Sequence, residues 1–190
     1  MTRNFSNDTP FAARFSRNTM QLKYAETTKN CDGILYQNGY LYVSSGTRGG
    51  SFQILKCGEG APQLLSELNG LGALRQLAIS ADLIDGRVRV AMTARESGVY
   101  IVDATDAANP FICCHYDTVE FATGIAFVGS ILAICCRSFG VELLSVENPT
   151  SPRHISTVRA GEVQSIFIEN GILYTGSWGE MQVKIGRAHV

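Results

Sequence analysis

The 190 residues carry 45% hydrophobic and 17% charged side chains and a formal net charge of −1. That balance is globular and leaves no electrostatic case for a nucleic-acid partner or an anionic membrane. No apolar run reaches the roughly 18 residues that a membrane helix needs, and the arginines of MTRNFSNDTPFAARFSRN precede no apolar stretch, so a secretory signal is not expected.

In chain order, residues 1–19 read as a polar segment and Met20–Glu26 (MQLKYAE) as a strand-like run. One pattern then recurs. Strand a (Ile34–Tyr36) leads through Asn38-Gly39 to strand b (Tyr40–Val43), a polar turn (Ser44–Gly50), strand c (Phe52–Leu55), a loop ending at Pro62, and strand d (Gln63–Leu68). The second unit repeats this with Leu77–Ile79, Asp85-Gly86, Val88–Met92, Thr93–Ser97, Val99–Val102, Pro110 and Phe111–Tyr116. The third has Ile125–Val128, Gly129, Ile131–Cys135, Cys136–Phe139, Val141–Leu144, Pro152 and Arg153–Val158. A fourth begins with Ile166–Ile168, Asn170-Gly171, Ile172–Thr175 and Gly176–Glu180, and reaches strand c at Met181–Ile185.

The turn glycines lie 47, 43 and 42 residues apart. The longer second unit holds its extra residues in Ser80–Gly86, a hairpin tip where insertion is tolerated. Asn-Gly and Asp-Gly supply the positive φ angles of type I′ hairpin turns. Each proline stands just before strand d, where it removes no ladder hydrogen bond. Four short strands per roughly 40–50 residues is the signature of a propeller blade. The predicted fold class is therefore all-β: an incomplete β-propeller of about three and a half four-stranded antiparallel blades. Their expected bounds are 31–72, 73–121, 122–163 and 164–185. An ordinary β-sandwich with regular turns gives no reason for a constant period.

Val99-Tyr100-Ile101-Val102-Asp103, the stretch Tyr116–Cys136 and the segments Gly98–Pro110 and Gly140–Pro152 resemble LVIVD repeats. The resemblance runs from about Cys31 to Ile185. It is strongest from Gly98 to Pro152 and weakest in the first unit, which lacks the Asp and the Asn-Pro. It implies a bacterial or archaeal propeller, often at the cell surface. The absence of a signal favours the cytoplasm, with the cell surface as the alternative that the resemblance implies.

The ends carry two expectations. Residues 186–190 continue Ile185 into a translation of a common sequencing-adapter read, and are expected to be an artefact. Residues 20–30 stand where a strand d would precede the first unit, as in the interlocked closure of propeller rings. A parent protein longer by about two to four blades is expected on that reading, and the 190 residues alone would then be prone to aggregate or oligomerise.

The b–c and d–a loops are expected to share the face around the central channel. Counting back four residues from strand c places Arg48, Arg95 and Arg137 at one equivalent position, with Trp178 within one residue of it in the fourth unit. A ring of guanidinium forks suits an anion or carboxylate; solvated turn tips pairing locally with Glu96 or Glu180 are the plainer alternative. Glu120 and Glu162 come to the same face from the d–a loops. The residues leading into strand a are Cys31-Asp32, Arg75-Gln76, Thr123-Gly124 and Gln164-Ser165. One acid among them does not support a metal ring, and no metal site or cofactor is expected. His115, near Cys113 and Cys114, falls on an outer strand away from the channel, and no catalytic residue is assigned. The six cysteines read as small core residues in a reducing compartment.

The sequence thus points to a non-enzymatic recognition platform, for a protein or a small anionic ligand. Its rim candidates are Arg48, Arg95, Arg137, Trp178, Glu120 and Glu162. A piece of a propeller hydrolase or lactonase acting on a small molecule is the alternative.

Overall fold

The computed structural model describes residues 31–46, 49–80, 86–178 and the backbone of Met181–Lys184. The expectations for residues 1–30 and 185–190, and for Arg48 and Asp85, lie outside the described residues. The first sheet is built from β1 (Gly33–Gln37), β2 (Tyr40–Ser45), β3 (Ser51–Lys56) and β4 (Gln63–Asn69). The second comprises β5 (Leu77–Ile79), β6 (Arg89–Thr93), β7 (Val99–Asp103) and β8 (Phe111–Tyr116). The third comprises β9 (Ala122–Val128), β10 (Ile131–Cys136), β11 (Gly140–Ser145) and β12 (Arg153–Val158). The fourth has β13 (Ser165–Glu169), β14 (Ile172–Gly176) and β15 (Met181–Lys184). Every pairing is antiparallel between neighbours in sequence, and the inner strands β1, β5, β9 and β13 touch in that order. This is a β-propeller arrangement of up-and-down blades.

The turn chemistry explains the hairpins. Asn38-Gly39 and Asn170-Gly171 hold φ values of 50° and 84°, and of 52° and 73°, the paired positive angles of a type I′ turn, which matches the twist of the flanking strands. At the other end of each inner hairpin, Gly98 and Gly140 open the third strand with φ of 72° and 108°. A Cβ there would collide with the carbonyl oxygens of Tyr116 and Val158 respectively, so only glycine fits.

Apolar residues fill the spaces between successive sheets. Tyr42, Phe52 and Ile54 of the first sheet meet Leu74, Val90, Met92 and Val102. Ala91, Val99 and Ile101 of the second meet Ile125, Leu132, Ile134 and Leu144. Ala133, Cys135 and Val141 of the third meet Val163 and Leu173. Truncating a fully buried Ile101 or Leu132 to Ala is a loss of about 2–5 kcal/mol. On the far face of the first sheet Ile34 and Tyr36 stay exposed, as does Phe167 in β13.

The cysteines depart from the core expectation. Cys135 and Cys136 are buried, Cys57, Cys113 and Cys114 are half-buried, and Cys31, in the lead-in to β1, is exposed. None forms a disulfide. Burial pushes the Cys135 thiol up to about 12. Burial, then the nearby Glu142 carboxylate, does the same to Cys136, so both stay protonated and inert at neutral pH.

Candidate functional site

The four lead-ins to the inner strands converge. Asp32, Arg75, Thr123 and Gln164 occupy one register, just before Gly33, Gln76, Gly124 and Ser165 in the next. Side-chain hydroxyl groups bond the lead-in backbone, two of them across neighbouring units. Ser44 Oγ donates to the Arg75 carbonyl at 2.7 Å, and Thr93 Oγ1 accepts from the Gln76 N–H at 3.0 Å. Thr123 Oγ1 donates to the Val163 carbonyl at 3.0 Å. These bonds satisfy backbone groups that no ladder reaches.

The convergence borders an open cavity of about 520 Å³. Its wall includes Asp32, Arg75, Gln76, Thr123, Gln164 and Ser165 from the lead-ins, and Arg95, Ser177 and Trp178 from the b–c turns. Asp32 is neutralised inside this wall. Its Oδ1 lies 3.5 Å from Arg75 Nη1, and its Oδ2 accepts from the Gly46 N–H at 2.6 Å. Arg95 is exposed at its turn and has no side-chain hydrogen bond or ion pair among the described residues. Trp178, 81% exposed, lines the same cavity.

Of the rim residues expected from sequence, Arg95 and Trp178 line the cavity, whereas Arg137, Glu120 and Glu162 do not. Arg137 and Arg95 do occupy the same backbone position. Both are non-glycine residues at positive φ, 28° and 50°, and their carbonyls accept from Val163 N and Ala122 N at 2.8 and 3.0 Å. The side chains part. Arg137 Nε sits 3.6 Å from Glu162 Oε1, and its guanidinium lies 5.6 Å from the centre of the Phe121 ring. Glu162 precedes Val163, and the residue preceding Ala122 is Phe121. The carboxylate that holds Arg137 is thus replaced by a phenyl ring in the unit after Arg95. Glu120 is spent on the same turn, accepting from the Ser138 N–H at 2.8 Å.

The lead-in residues are legible in the sequence as channel positions from their place just before strand a. Their amides and hydroxyls are the neutral hydrogen-bonding part of the site. His115 stacks on Tyr100 at 4.4 Å between ring centres and hydrogen-bonds the Ser97 carbonyl, a structural post on the second sheet. Among the described residues no three His, Cys, Asp or Glu side chains gather as a metal set.

Three solved structures share the fold. The computationally designed Ika4 protein superimposes with a TM-score of 0.62 at 12% identity, over 84% of this chain and 93% of that one. The computationally designed Ika8 protein gives 0.58 at 14% identity, over 80% of this chain and 45% of that one. Glutaminyl cyclase from Myxococcus xanthus gives 0.53 at 14% identity, over 82% and 65%. The chain therefore spans less than two thirds of the length of the latter two. At such identities the likeness is one of fold alone. No family model and no curated protein matches the chain. No helix among the described residues is long and apolar enough to cross a membrane.

Proposed function

We propose that the chain is a non-enzymatic recognition platform that takes a small anionic ligand at the axial cavity, on blades of the LVIVD type. One observation carries the reading: Arg95 lines the cleft with no ion-pair partner among the described residues, while its counterpart Arg137 pairs with Glu162 outside it. A site of this size and shape suits a small molecule better than a flat protein surface does, and a forked guanidinium suits an anion. Hydrogen bonds of the Ser44, Thr93 and Thr123 hydroxyls hold the lead-in backbone in place.

The test is a thermal-shift and ligand-observed NMR screen of the full chain against small anions, cations and neutral compounds, followed by mass analysis of the recovered ligands. Binding confined to anions that are recovered unchanged is the expected outcome. Binding of cations only, or turnover of a bound compound, contradicts it.

A further inference from the structure

The cavity wall is not symmetric, and its asymmetry specifies a ligand more narrowly than charge alone. Arg75 is balanced by Asp32 at 3.5 Å, which leaves Arg95 as the one uncompensated charge among the described residues of the wall. Two neutral groups of the inner ring, the Gln76 amide and the Ser165 hydroxyl, also have no side-chain partner among the described residues. The same cavity is also lined by Trp178, an indole 81% exposed to solvent.

A single guanidinium matches a monocarboxylate, which it grips through two parallel N–H···O bonds. A phosphate dianion calls for more cationic charge than the described residues of this wall offer. The indole adds a flat apolar face, which prefers the offset or edge-on approach of another aromatic ring. The volume of about 520 Å³ falls within the usual range for small-molecule sites, roughly 300–1,000 Å³, and far exceeds what a bare acetate needs.

We propose that the axial cavity is a binding site for a free aromatic monocarboxylate. Arg95 clamps the carboxylate, Gln76 and Ser165 complete its hydrogen bonding, and Trp178 stacks on the ring. This rests on the anion-recognition reading above and narrows it to one chemical class.

Trp178 is the single tryptophan of the chain, so its emission reports the site without labelling. The experiment titrates the full chain with benzoate, acetate, benzyl alcohol and inorganic phosphate, following Trp178 fluorescence and, on the same samples, calorimetry. Benzoate is expected to bind saturably, and acetate and benzyl alcohol at least tenfold more weakly. Arg95→Gln is expected to weaken benzoate at least tenfold with an unchanged melting temperature, and Arg137→Gln to leave its affinity unchanged. Phosphate binding tighter than benzoate, with dependence on Arg95, overturns the aromatic-carboxylate class while the broader anion reading survives. Failure of all three of benzoate, acetate and phosphate to bind overturns both. Benzoate binding that Arg95→Gln leaves intact overturns the assignment of the clamp.

Discussion

The turns that carry Arg95 and Arg137 are one structure used twice. Each places its arginine at positive φ and hands its carbonyl to the next lead-in. Each is followed by a glycine whose Cβ would strike a backbone carbonyl. Their side chains nevertheless face different surroundings, because Glu162 stands where the preceding unit has Phe121. The repeat thus fixes the backbone, and a residue of the loop that leads into the following blade decides whether an arginine is structural or available to a ligand. Function in such a fold sits in loop residues on a common frame.

The largest expected effect tests the shared frame. Gly98→Ala and Gly140→Ala each force a side chain into a conformation that costs about 1–3 kcal/mol before the carbonyl collision is counted. Urea denaturation is expected to show losses of similar size, about 3 kcal/mol or more, at both sites. A large loss at one and none at the other would break the equivalence of the turns.

The next tests the difference. Phe121→Glu gives the loop after the Arg95 turn the acid that Glu162 gives the loop after the Arg137 turn, in place of a ring that packs on Arg137, and is expected to weaken benzoate binding about tenfold, equivalent to roughly 1.4 kcal/mol. Calorimetry reads the change. Undiminished affinity would show that the following blade does not set the state of Arg95.

A third prediction follows the same two strands to their far ends. β7 closes on Asp103 and β11 on Ser145. Burial of Asp103 raises its pKa, but hydrogen bonds from Thr105 outweigh this together with Arg89 and Arg87, and hold the carboxyl below its usual 3.8. Arg89 Nη1 donates to Asp103 Oδ2 at 2.9 Å. A lowered folded pKa stabilises above the unfolded value, and that contribution disappears as pH falls through the folded one. Asp103→Asn is therefore expected to flatten the acid limb of stability below about pH 4. Ser145→Asn leaves that limb unchanged. Melting temperatures between pH 2 and 7 decide it.

The smallest effect concerns the Arg137 pair itself. Its partners are 46% and 43% exposed, so Glu162→Gln is expected to change stability by less than about 1 kcal/mol in urea. A larger loss would mean that the pair organises the turn rather than decorating it.

Much of the frame was legible in the sequence. Asn38-Gly39 and Asn170-Gly171 announced their turns because only a few residue types tolerate positive φ at both positions. Alternating apolar residues place the strands to within a few positions, although β9 begins at Ala122, ahead of the expected Ile125, because its ladder with β10 resumes past an irregularity at Cys136↔Ala122. Counting back from strand c found the shared position of Arg95 and Arg137. It was blind to what approaches that position from the next blade, so Arg137, Glu120 and Glu162 were grouped with residues that reach the cavity. The same blindness put Cys31 in the core: spacing shows which residues follow a turn, and not which neighbours cover them.

The central claim is that Arg95 binds an anion and Arg137 does not. Calorimetric titration of benzoate into the parent chain, Arg95→Gln and Arg137→Gln tests it most directly. The account predicts at least a tenfold loss for Arg95→Gln and parent affinity for Arg137→Gln. Equal losses at both positions, or a loss at Arg137 alone, would contradict it.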